Sequence, residues 1–317
     1  MTQLVERLIA GDRRALARAI TLVENEEQEA AELVARSSPH GGRAYRIGVT
    51  GPPGAGKSSL VTLLAQRFRQ LGKERVGVLA VDPTSPFSGG ALLGDRVRMT
   101  SLTGDPGVFI RSMATRGAFG GLARAAADVL DLLDAWGADP VLVETVGVGQ
   151  SEVEIASLAD TTLLVLSPEA GDGVQAMKAG VMEVADVFAV NKSDRKGADR
   201  LVQEIQEALG LGGERPGWRP PVLKTVAAQE GEGIPELVAA LQQHQALQEQ
   251  SGLLLLRRER AARHRIERLV EEGLHRQLRR QLGEEELVAL GQRVARRQLG
   301  PRDAAAELLG KLLRLPT

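Results

Sequence analysis

The 317-residue chain contains no cysteine, which excludes disulfides, thiolate metal sites and a cysteine nucleophile. Charge of one sign is also missing, since 40 Lys and Arg oppose 41 Asp and Glu for a formal net charge of −1. That balance removes any whole-chain electrostatic argument for nucleic acid or an anionic membrane. No apolar run is long enough to cross a bilayer. The four histidines, His40, His244, His264 and His275, are scattered and lack metal-ligand spacing. The opening "MTQLVERLIAGDRRALARAI" is an amphipathic helix pattern carrying acids as well as bases. It reads as neither a secretory signal nor a transit peptide, so the cytoplasm is the expected location.

What is present is the pattern of a folded α/β protein, with 43% apolar residues. Residues 1 to about 36 have helical spacing, and "SSPHGGR" then punctuates the chain. Seven apolar runs follow, with helical patterns between them; strands are expected at Tyr45–Thr50, Val76–Asp82, Val108–Ser112, Val141–Thr145, Thr162–Leu166, Val187–Asn191 and Val222–Thr225. Continuous apolar strands joined by helix-length connections imply a mostly or entirely parallel sheet covered on both faces. Ligands of such sheets bind at the carboxyl ends of the strands. From Leu253 to Leu282 the pattern is helical, strand-free and rich in Arg and Leu, and a further helix is expected over Ala304–Leu313. The expected organisation is a helical segment at 1–42, a phosphate-loop domain at 43–245 and a helical region at 246–317.

"GPPGAGKS", Gly51 to Ser58, fits the phosphate-loop pattern between a strand and a helix, the context that motif requires. Its glycines let backbone N–H groups turn inward around a β-phosphate, and the helix N-terminus adds its positive end. The expected nucleotide contacts are Gly51, Pro53, Gly54, Ala55, Gly56, Lys57, Ser58 and Ser59. Lys57 would bridge the β- and γ-phosphates, and the Ser58 hydroxyl would coordinate Mg²⁺.

"FAVNKSD" closes a strand with Asn191, Lys192 and Asp194. A carboxylate offers two acceptors, which suit the ring N–H and exocyclic amine of guanine; adenine would leave them unpaired. Lys192 would lie over the base and Asn191 would tie this loop to the phosphate loop. One strand later Val226 and Ala227 stand where a backbone N–H would meet the guanine oxygen, with Ala227 the expected donor. Standing alone, the four-residue match is ordinary turn composition; after a phosphate loop and at a strand end it points to a guanine nucleotide.

Three acids complete the expected site. Asp82 ends a strand, Asp95 lies in the Gly/Pro/Ser-rich loop after it, and Glu144 ends "VLVE". With Ser58 they are the candidate oxygen ligands of Mg²⁺ or of its waters. Each of them could instead cap a helix or sit in a solvated turn. Gly147 is placed to offer its N–H to a γ-phosphate, and Gln150 to orient water. Lys57, Asp95 and Glu144 are the expected catalytic residues.

These stretches, together with "GDRRALARAITLVEN", "VDPTSPFSGGALLGDRVRM", "VETVGVGQSE" and "SPEAGDGVQAMKAGVMEVAD", resemble the MeaB/ArgK-type GTPases, the family of the methylmalonic aciduria type A protein. In that family the acid after the second switch strand is typically Glu, which maps onto Glu144. The resemblance implies Mg²⁺-dependent hydrolysis of GTP to GDP by a homodimer whose C-terminal helices form much of the contact. It implies a partner, an adenosylcobalamin-dependent acyl-CoA mutase, typically methylmalonyl-CoA mutase, whose cofactor loading is gated and which is protected or reactivated. It also marks Ser167–Lys178 as an additional switch loop, with Gly173 where a charged or bulkier residue is more usual. A slow intrinsic rate is expected, with Arg96, Arg98, Arg111 and Arg116 as a group of candidate finger arginines.

Three other readings compete. A nickel-delivery GTPase of the same branch needs soft or imidazole ligands, for which this chain is poorly equipped. A phosphate-loop small-molecule kinase predicts a preference for ATP, against "NKSD". Nucleic-acid binding by the Arg-rich segment 257–297 is opposed by interspersed glutamates and by the absence of interleaved aromatics.

Overall fold

A computed structural model of the chain describes residues 1–25, 27–83, 99–102, 104–115, 121–145, 157–169, 181–211, 217–228 and 231–314. The expected strands are present as β1 (Arg46–Thr50), β2 (Val76–Pro83), β3 (Val108–Thr115), β4 (Val141–Thr145), β5 (Thr161–Leu166), β6 (Val187–Asn191) and β7 (Val222–Thr225). They form one seven-stranded sheet in the order β3-β2-β4-β1-β5-β6-β7. Every pairing between neighbouring strands is parallel. Strand β3 runs three residues past the expected Ser112, because β2 and β3 stay paired as far as Pro83 and Thr115.

Every residue of β4, β5 and β6 is buried, as a parallel sheet covered on both faces requires. Alternation along each strand decides which residue meets which layer. Leu142, Leu163 and Val165 pack with α4 (Lys57–Gln70) and with the later helix Ile234–Ser251. Val141 and Val143 face the opposite layer, built from Gly121–Ala135 and three N-terminal helices. Those N-terminal helices are α1 (Thr2–Ile9), α2 (Arg13–Glu24) and α3 (Ala30–Ser37); Gly121–Ala135 is α5. Leu8, Leu16, Ile20 and Leu33 are wholly buried against Trp136 and its neighbours. Burying side chains of this size contributes about 1.5–3 kcal/mol each, which holds α1–α3 on the sheet. The start of α2 is set by Asp12, whose carboxylate accepts from the N–H groups of Arg14 at 2.8 Å and Ala15 at 3.1 Å. On the β5–β6 side of this face a separate cluster gathers Leu164, Phe188 and Val190 beneath α6 (Ala198–Leu211).

Helix α7 (Ile234–Ser251) is followed by α8 (Leu253–Ala295) and α9 (Pro301–Arg314). The chain divides into two compact units, Met1–Arg258 and Glu259–Thr317. Within the first unit, the opening residues of α8 are fixed by arginine pairs. Arg257 meets Asp186 at 2.9 Å, while Arg258 grips both oxygens of Asp160 and the carbonyls of Gly42 and Ala44. In the second unit α8 continues well beyond the expected Leu282. No proline stands between Leu253 and Pro301, and the Leu, Arg and Glu residues of α8 are strong helix formers. The helix ends where Arg297 enters the left-handed region at φ 57. No described helix is long and apolar enough to cross a membrane.

Candidate functional site

Strands β1, β4, β5 and β6 deliver their carboxyl ends to one region. The loop 51–56 leaves β1 there and turns into α4. Two of its glycines are required by close approach. A Cβ on Gly51, at φ 140, would lie 2.0 Å from the Val165 carbonyl oxygen. One on Gly56, at φ 91, would lie 2.2 Å from Asn191 Nδ2. The loop is thus wedged between β5 and the end of β6, with the Pro53–Gly54 tip exposed and Ala55 buried. Helix α4 begins at Lys57, so its unpaired N–H groups and positive dipole end point into the loop. The Lys57 ammonium is buried and folded back, donating to the carbonyls of Gly51 at 2.7 Å and Pro52 at 2.9 Å. Ser58 is buried beside it, and Ser59 is exposed.

Glu144 stands opposite Val49 of β1 and Ala80 of β2 in the sheet register. The residue is 4% exposed, and its Oε1 accepts the Ser58 hydroxyl at 2.6 Å. Just behind it, the Thr145 hydroxyl donates to that of Thr50 at 3.2 Å and fixes the ends of β4 and β1. A hydroxyl and a carboxylate held together match the hard-oxygen preference of Mg²⁺. Among the described residues, no group of three or more His, Cys, Asp or Glu could hold a metal by itself. Asp82 is the penultimate residue of β2, two positions beyond the residue that pairs with Glu144, and its side chain lies outside the described residues. So do Asp95, Gly147, Gln150, Arg96, Arg98 and Arg116. Arg111, the remaining member of the arginine group, is ion-paired with Glu24 of α2. Burial holds its pKa below the usual value.

Asn191 joins three loops. Its Nδ2 donates to the Ala55 carbonyl at 2.8 Å, and its Oδ1 accepts from the Ala227 N–H at 3.1 Å and the Thr225 hydroxyl at 3.3 Å. Ser193 N–H adds a bond to the Thr225 carbonyl at 3.1 Å. The Ala227 N–H therefore serves the loop scaffold, while Val226 donates to Glu232 at 3.0 Å. Lys192 adopts φ 56, a left-handed conformation. Asp194 projects from the same turn and is exposed. One residue that the sequence reading did not single out is Glu169, which pairs with both Lys192 and Arg195. Its sequence signals are its place inside the expected switch loop Ser167–Lys178 and an acid just beyond "LLVLSP", the strand that runs beside "FAVN". Of the expected switch loop 167–178, residues 170–178 lie outside the described residues.

The chain matches a family model described as "Methylmalonyl Co-A mutase-associated GTPase MeaB" over residues 16–282. A GTPase of Pyrococcus abyssi is 47% identical over 98% of this chain and 96% of its own length. The mouse "Methylmalonic aciduria type A homolog, mitochondrial" is 36% identical over 84% of this chain and 68% of its own. "GTPase ArgK" of Escherichia coli is 38% identical over 76% and 75%, respectively. Among solved structures, an "LAO/AO transport system kinase" superposes with a TM-score of 0.77 at 28% identity, covering 98% of this chain and 97% of that one.

Proposed function

The chain belongs to the methylmalonyl-CoA mutase-associated GTPase family, and from that premise we propose that it is a Mg²⁺-dependent GTPase chaperone of an adenosylcobalamin-dependent acyl-CoA mutase. In this reading methylmalonyl-CoA mutase is the partner, and GTP turnover gates cofactor loading and protects or reactivates it. The observation that supports the guanine site is the Asn191 junction, where phosphate loop, base loop and β7 loop are tied to one buried side chain. Support for the mutase comes from the family match and from the name of the mouse relative.

Each residue has a stated task. The glycines and the start of α4 wrap the β-phosphate with N–H donors. Lys57 leaves its two carbonyl partners for the β- and γ-phosphate oxygens, exchanging neutral acceptors for charged ones. Ser58 and Glu144 hold Mg²⁺ or its waters, and Asp82 and Asp95 are proposed to share that role. When bound, the ion neutralises charge that develops between β- and γ-oxygens. Gly147 is assigned to the γ-phosphate, and Asp194 reads the guanine edge. Because Ala227 N–H already serves Asn191 at 3.1 Å, the guanine oxygen is proposed to share that donor in a three-centre bond.

A homodimer is proposed through the region 246–317, with 1–42 and 43–245 as helical and GTPase parts. Its support is a stripe on α8, where Ile266, Leu269, Val270 and Leu274 are exposed at helical spacing. The cytoplasm is proposed as the location on the sequence reading alone. The test is addition of a purified cobalamin-dependent acyl-CoA mutase while GTP hydrolysis is followed. Stimulation with a stable complex is expected; neither effect with any such mutase would remove the partner from the proposal.

A further inference from the structure

Strands β5 and β6 end side by side, with Leu166 opposite Val190. Beyond them the chain leaves as Ser167-Pro168-Glu169 on one side and as the base loop on the other. The Glu169 carboxylate is divided between two cations of that loop. Its Oε2 takes Lys192 Nζ at 3.1 Å, and its Oε1 pairs with Arg195.

Charge decides what this arrangement does. Lys192 carries its ammonium on a flexible stem that does not order itself. Arg195 is the sequence neighbour of Asp194, the exposed acid assigned to guanine. An Arg195 without Glu169 would be free to pair with Asp194 and occupy the acceptors that guanine needs.

We propose that Glu169 is a positioning residue of the guanine site, which fixes Lys192 beside the base and keeps Arg195 away from Asp194. The proposal rests on the base-site reading given above. It also gives the segment after β5 a direct link to the base loop, because the pairs that hold Glu169 are made with the residues that flank the base.

The test is titration of a fluorescent GDP analogue with the full chain at low and high salt. Glu169→Gln is expected to weaken GDP about 2- to 5-fold at low salt, as exposed ion pairs of this kind allow. The deficit should shrink in about 0.5 M salt, where such pairs are screened. Adding Arg195→Gln to Glu169→Gln should recover part of the loss, because the competitor for Asp194 is gone; a merely structural Glu169 predicts a further loss. Unchanged GDP affinity in Glu169→Gln, or a double variant weaker than the single, overturns the proposal. An Asp194→Asn arm separates the two levels. If it shifts preference toward xanthine nucleotides while Glu169→Gln is silent, the positioning role alone fails. If Asp194→Asn leaves guanine selectivity intact, the base-site reading fails and takes the proposal with it.

Discussion

The Ser58 hydroxyl and the Glu144 carboxylate, 86 residues apart in sequence, meet at 2.6 Å in a buried position between the start of α4 and the end of β4. A shorter acid at position 144 would not span that distance from the same backbone. Glu144→Gln keeps an acceptor for Ser58 but removes the charge. It is expected to fold normally, to bind GDP almost as tightly in EDTA, and to lose about 10²-fold or more in turnover. Nucleotide affinity with and without Mg²⁺ is the check; a variant whose affinity still rises with Mg²⁺ as in the parent would show that Glu144 does not serve the metal.

Asn191 is buried and makes one bond as donor and two as acceptor. Asn191→Ala deletes all of them and strands the Ala55 carbonyl and the Ala227 N–H. We expect a loss of about 2–4 kcal/mol in folding stability, together with weaker nucleotide binding. Urea unfolding with and without GDP measures both. Stability within error of the parent would mean that water replaces the side chain and that the three loops are independently fixed.

The parts of this site readable in the sequence share one property: each is local. "GPPGAGKS" and "NKSD" carry their geometry within a few residues and a strand end, and the strand runs of β1, β4 and β6 are bounded by polar or turn residues. The ordering of those motifs along an alternating pattern was enough to infer a parallel sheet. Partnerships at long separation were not legible. Nothing in "LSPE" announces that Glu169 meets Lys192. Nothing in "LRRER" says that its arginines seek Asp186 and Asp160 rather than solvent, since an Arg-rich helix face has the same pattern either way. The commitment of Ala227 N–H to Asn191 likewise depends on the packing of β6 against β7.

Arg258 is the most heavily used of those distant partners. It takes both oxygens of Asp160, at 2.9 and 2.8 Å, and two carbonyls of the segment that enters β1. Asp160 itself is buried and also accepts the Arg46 N–H at 2.9 Å. The Asp160 carboxylate accordingly holds the Arg258 guanidinium above its usual pKa. Arg258→Ala leaves that buried carboxylate without its cation, so destabilisation by about 2–4 kcal/mol is expected. Arg258→Lys should recover only part, because an ammonium cannot reproduce the planar fork. Calorimetric unfolding of both variants tests this, and a lysine variant equal to the parent would refute the bidentate argument.

The pair Arg69–Asp105 makes stability depend on acid in a defined direction. Arg69 Nε and Nη2 reach Asp105 at 2.8 and 3.0 Å, and the Gly107 N–H donates to it at 2.8 Å. The arginine bond, followed in weight by an opposing effect of burial and the help of Gly107 N–H, lowers the Asp105 pKa from its ordinary 3.8. A carboxyl whose pKa is depressed in the folded state adds stability above its unfolded pKa and loses it as pH falls through the folded value. Asp105→Asn should therefore lower Tm by about 2–4 °C at neutral pH. The gap to the parent should stay constant down to about pH 5 and close progressively below about pH 4, where the parent gives up its own advantage. Thermal unfolding of the two proteins across that range decides it; a gap that stays open in strong acid would mean that Asp105 acts through its shape rather than its charge.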